Sequence, residues 1–193
     1  TGPVIDRPGS TWDPLTRRVQ TPQDARLLVD ELADAGVDQI KTYAMLDLPC
    51  YQAVVDEAHQ RGKFVLSHLG RFVDARQAIQ AGTDEIEHLS GVSEALWWEA
   101  SQASQDWIWI KLWSQMDAQR SSSLIDLMLE RGTWMAITRL VWLRLAYAWD
   151  TRLADHPQMK YIPPTLLQFW EKFSPQNAKK RAMPTGMPPP NRQ

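Results

Sequence analysis

"RGKFVLSHLGRFVDARQAIQAGTDEIEHLSG", residues 61–91, decides the fold. "KFVLSHL" (63–69) reads as a strand, and "RFVDARQAIQAG" (71–82) has helical apolar spacing stopped by a glycine. "TDEIEHL" (83–89) reads as the next strand before a Ser-Gly turn. Strand, helix and strand in this order imply a right-handed βαβ unit and a parallel sheet.

The same rhythm extends upstream. "TPQDARLLVDELADAG" (21–36) has Thr21 as N-cap, Pro22 at the first helical position, Asp24 in the first turn and Gly36 past the end. Leu27, Leu28, Val29, Leu32 and Ala35 form its expected apolar side. "VDQIKTYA" (37–44) is short and β-compatible, and "LPCYQAVVDEAHQRG" (48–62) is helical, with Val54, Val55 and Ala58 on one side. Downstream the pattern loosens. A helix is expected at 93–105, strand or helix at 106–113, a capped helix over 121–132, a strand at 133–140, and a Pro-Pro break with a short helix within 156–173.

These elements predict an α/β chain with parallel strands. It divides into an N-terminal arm (1–20), one domain (21–175) and a flexible Pro-rich tail (176–193). The 193 residues, 44% hydrophobic and 23% charged, suffice for one sizeable core. A net charge of −2 without a Lys/Arg block argues against nucleic-acid or electrostatic membrane partners. "WMAITRLVWLRLAYAW" (134–149) is the most apolar stretch, but Arg139 and Arg144 interrupt it and it is short of a spanning helix, so the chain reads as soluble. Cys50 is the one cysteine, which excludes an intrachain disulfide and a cysteine zinc site and leaves the compartment undetermined. Nine of the ten tryptophans lie from Trp97 to Trp170, a distribution that more often reflects core and helix packing than a ligand box.

Lys41, His68 and His88 each fall near the end of one of three successive strands. Parallel strands bring such ends to one rim, where α/β sheets and barrels gather ligands and catalytic groups. Two neutral imidazoles are half of a divalent metal site, for zinc, iron, nickel or manganese. An ammonium ion cannot ligate a cation, so Lys41 must lose its proton, act as a base, or become a carbamate. A single histidine at a strand end is more often structural, and spacing alone leaves that reading open. His59 and His156 are read as surface or structural residues.

"DQIKTY", "VVDEAHQRGKFVLSHL" and "AIQAGTDEIEHLSG" together resemble the metal-dependent amidohydrolase superfamily, in its imidazolonepropionase- and prolidase-like branch. The resemblance spans about residues 22–92 and continues more weakly through "LIDLMLERGTWMAIT", where Ile137 and Thr138 stand in place of a common Pro-Thr pair. It implies a partial (β/α)8, TIM-like barrel, with Lys41, His68 and His88 at metal positions. It also implies a divalent cofactor, zinc foremost, with Lys41 as a carbamate, and small amide, lactam or dipeptide substrates. In the family, metals acidify water and polarise the scissile C–N carbonyl. The family's first-strand His-x-His and last-strand aspartate have no counterpart in this sequence, and a full barrel needs about 250 residues. The chain therefore reads as the middle of such a barrel, with low or no activity alone. An unfinished barrel leaves edges and apolar faces uncovered, so a homo-oligomer is expected. The alternative is a non-catalytic scaffold that keeps the fold.

Overall fold

The computed structural model describes residues 2–10, 15–70, 72–96, 118–139 and 157–165. The chain divides into two compact units, Thr1–Ile137 and Thr138–Gln193. In the first unit the order is β1 (Val4–Asp6), β2 (Thr16–Arg18), α1 (Pro22–Asp34), β3 (Gln39–Thr42), α2 (Leu48–Gln60), β4 (Phe64–Ser67), α3 (Ala75–Ala81), β5 (Glu85–Glu87), α4 (Val92–Leu96), α5 (Ala118–Arg131) and β6 (Trp134–Ala136). In the second, a 3-10 turn covers Pro157–Tyr161, with the Lys160 ammonium 5.0 Å from the centre of the Tyr161 ring.

The helices begin where side chains satisfy their free amide groups. At α1 the Thr21 hydroxyl accepts from the Asp24 amide at 3.1 Å while the Asp24 carboxylate accepts from the Thr21 amide at 2.9 Å, a reciprocal cap. Asp47 caps α2 through the Cys50 amide. Asp74 and Gln77 form the same box at α3, which is why that helix starts at Ala75 rather than at the expected 71. Within α5 the Ser123 hydroxyl donates back to the Arg120 carbonyl at 2.9 Å, so this serine of the expected cap lies inside the helix.

The six strands form one parallel sheet in the order β2-β1-β3-β4-β5-β6. This is the α/β class with the parallel strands of a TIM-like barrel. β1 and β2 come from the segment expected as an N-terminal arm; three-residue strands are too short to show a period-2 pattern.

Register sorts the side chains onto two faces. Ile40, Thr42, Val65, Ser67 and Ile86 are all buried, on the face that receives α2 and α3, with Val54, Val55 and Ile79 opposite them. Each such aliphatic side chain contributes roughly 1.5–3 kcal/mol by leaving water. Within α1 the buried stripe is Ala25, Leu28, Val29 and Leu32; Leu27, expected with them, is 58% exposed because 100° per residue turns it to the opposite side. Buried hydroxyls form a connected layer here. Tyr51 and Ser67 share a hydrogen bond of 2.6 Å, Ser67 and Thr83 one of 2.8 Å, and Thr133 donates to the Thr83 carbonyl at 3.0 Å. Each polar atom in this layer is thereby satisfied within the core.

At the opposite end of the strands, Asp84 accepts from the Val65 amide at 2.7 Å and pairs with His59 at 3.0 Å, so His59 has the structural role expected of it. Trp134 is the single tryptophan among the described residues and is 71% exposed, unlike the expected core role. The other nine, His156 and the element expected at 106–113 lie outside the described residues. No described helix is long and apolar enough to cross a membrane.

Candidate functional site

Lys41, Leu66 and Glu85 are register partners across β3, β4 and β5, which puts them on the face opposite the helix-packed core. Period-2 alternation then adds Tyr43, His68 and Glu87 to that face, toward the C-terminal ends of the strands. His88 is the exception. Alternation alone would turn it with Ile86 toward the helices, but its backbone adopts φ 62° and Leu89 follows at φ 59°. Two successive left-handed non-glycine residues cost about 1–2 kcal/mol each. The surrounding hydrogen bonds hold the turn in place. The His88 amide donates to the Ala136 carbonyl at 2.7 Å, and Ser90 Oγ donates to the Glu87 carbonyl at 2.7 Å while accepting from the Leu69 amide at 2.9 Å. This re-aims the His88 ring at the rim. Gly70 permits a second close approach there, since a Cβ at that position would lie 2.3 Å from the Ala44 carbonyl oxygen.

The three residues singled out by the sequence are thus brought together. The His68 and His88 ring centres lie 5.2 Å apart at 57°, and Tyr43 stacks on His68 at 4.3 Å and 24°. Burial, reinforced by His88 and Lys41, pushes the His68 imidazole down to about 4. His88 is lowered as well, by burial first and then by Lys41. Both rings are therefore neutral near pH 7, the form that binds metals. Burial lowers the Lys41 amine to about 8, while Glu85 favours its charged form.

Two neighbours escaped the sequence reading. Glu87 contacts the Lys41 amine directly, and the same Glu87 oxygen lies 3.7 Å from His88 Nε2. Glu87 lies two residues past Glu85, which register places on the Lys41 face; Tyr43 stands likewise two past Lys41. At the end of β1 the fully buried Asp6 accepts from the Met45 amide at 2.8 Å, which anchors the loop after β3.

The donor chemistry suits one divalent cation in part. Two adjacent neutral imidazoles fit as ligands, and the buried Lys41 nitrogen beside them fits once it is no longer an ammonium. Among the described residues no group of three His, Cys, Asp or Glu side chains is placed to hold a metal by itself.

No protein-family model and no curated protein matches the chain, whereas solved structures do. Bottromycin amidohydrolase matches 94% of this chain and 38% of its own, at 21% identity and a TM-score of 0.58. A Xaa-Pro dipeptidase matches 90% of this chain and 39% of its own at 18% identity and a TM-score of 0.44. A Bifidobacterium longum protein assigned as a prolidase is 32% identical over 46% of this chain and 24% of its own, with a TM-score of 0.40. The chain shares the fold of bottromycin amidohydrolase over most of its own length, and it spans less than two fifths of the length of each of these three structures.

Proposed function

We propose that this chain is part of a metal-dependent hydrolase of C–N bonds in small amides, lactams or dipeptides, with Lys41, His68 and His88 as its metal-binding residues. The observation that carries the reading is the meeting of His68 and His88 beside Lys41 at one rim of a parallel sheet. A divalent ion bound there, zinc foremost, would supply Lewis acidity toward a carbonyl and toward water. The chain's own residues do the rest of the positioning. His68 is held by the Tyr43 ring and His88 by its left-handed turn, so neither needs to reorganise to bind. Lys41 joins as a ligand only as a carbamate, formed when its neutral amine adds carbon dioxide and releases a proton. No residue of the rim is assigned as the acid that would protonate a leaving amine, so activity of the chain alone should be low.

The test is hydrolysis of N-acyl amino acids and Xaa-Pro dipeptides by the zinc- and manganese-loaded chain. Expected is slow, metal-dependent turnover that H68A/H88A eliminates. Equal turnover in the double variant would overturn the site. Metal uptake without hydrolysis of any of these substrates would overturn the catalytic part and favour the scaffold reading.

Self-association belongs to the same proposal. Ile125 and Leu129 of α5 and Trp134 of β6 are 54%, 75% and 71% exposed, apolar side chains that a second copy would cover. Light scattering at tens of micromolar should report a dimer or larger, and a monodisperse monomer would contradict this.

A further inference from the structure

We infer that Gly70 and Gly91 are positioning residues of this rim: lacking side chains, they let the loops that leave β3, β4 and β5 lie against one another, and that contact holds the His68 and His88 rings where one cation can bridge them. The inference rests on the metal-site reading above and adds two residues that act through the histidines. Gly9, Gly36, Gly62 and Gly132 also have positive φ, but a Cβ at any of them would meet nothing within 4 Å, so they serve their turns alone. The rim glycines differ. A Cβ at Gly70 would lie 2.3 Å from the Ala44 carbonyl oxygen, 2.5 Å from Ala44 Cβ and 2.7 Å from Ala44 Cα, atoms that no rotamer change can move. Ala44 follows Tyr43, the ring stacked on His68, and Gly70 stands two residues past His68. Gly91 has φ 71°, and a Cβ there would lie 2.9 Å from both the Ala75 amide nitrogen and Leu69 Cβ. Its carbonyl accepts from the Ala75 amide at 2.9 Å, at the start of α3, while the neighbouring Ser90 Oγ accepts from the Leu69 amide. Leu69 follows His68, and Gly91 stands three past His88. The two contacts therefore join the backbones that carry Tyr43, His68 and His88. Restoring ordinary contact at position 70 would part its loop from Ala44 by about 1 Å. Imidazole–metal bonds of roughly 2.0–2.1 Å cannot stretch to follow such a shift.

The experiment compares Co²⁺ binding by the full chain with that of G70A, G91A, G91N and G62A. Calorimetry reads affinity, the visible absorption of the bound ion reads ligand geometry, and circular dichroism verifies folding. G62A is the control, since it forces alanine into a left-handed backbone before β4, at the end of that strand opposite His68. G91N adds the crowding Cβ with a residue that tolerates the left-handed region, which separates crowding from backbone strain. G70A, G91A and G91N should weaken Co²⁺ binding by about tenfold to a hundredfold and shift its absorption. G62A, whatever stability it loses, should stay within about threefold of the wild-type chain with an unchanged spectrum. A glycine needed only for folding would lower stability without moving the spectrum of the folded, cobalt-loaded protein. If G70A does not fold, G91N against G62A keeps the test decisive. Wild-type affinity and absorption in any folded rim variant would overturn the proposal, as would an equal loss in G62A; both outcomes leave the metal site standing. Absence of Co²⁺ binding by the wild-type chain is a different result, which overturns the metal site and this inference with it.

Discussion

Lowering the pH from 6.5 to 4 is expected to cost the folded chain stability through His68, and the H68Q variant should lack that component. An unfolded chain protonates this imidazole near 6.5, whereas the folded chain resists until about 4. Above 6.5 both states hold it neutral and it adds no pH dependence. Between 6.5 and 4 the unfolded state binds the extra proton, so stability falls with falling pH, and below 4 the loss is complete. The interval corresponds to at most about 3 kcal/mol, reduced where water reaches the ring. Urea unfolding of the two proteins at half-unit pH steps measures it. The stability difference between wild type and H68Q should shift against the wild type across this window. A difference that stays constant from 6.5 to 4 would show that His68 is not held neutral at the rim.

That behaviour depends on a placement the sequence made partly visible. The fold was legible from 21 to 91, because the first helix carried a cap, all three ended at glycines, and the strands between them were apolar enough to read. Lys41 and His68 sit where strand alternation puts them, on one face near the strand ends. His88 needed more than alternation. The sequence showed it at a strand end, but its presence on the rim depends on consecutive left-handed residues held by Ser90 and by Ala136 at the end of β6.

What was not legible has physical reasons too. β1 and β2 are three residues each, and their position beside β3 is set by pairing rather than by any local pattern. The three serines of α5 look like a cap, yet one of them bonds within the helix. Glu87 was overlooked because an acid next to a histidine has no meaning until register shows which side chains it faces. Only the pairing of β3, β4 and β5 puts it against Lys41.

The central claim is that Lys41, His68 and His88 form one cation-binding cluster, and equilibrium dialysis against micromolar zinc tests it most directly. The measurement is zinc per chain, by elemental analysis, in the wild-type protein and in H68A/H88A, with circular dichroism confirming that both are folded. Removing both imidazoles takes away the two side chains that can ligate without chemical change, and both lie at strand ends outside the packed core. The account predicts saturable zinc uptake approaching about one ion per chain in the wild type, weakly held because a complete site has more ligands. In the double variant it predicts a loss to the level of a protein without a site. Equal zinc content in the two folded proteins would contradict the account.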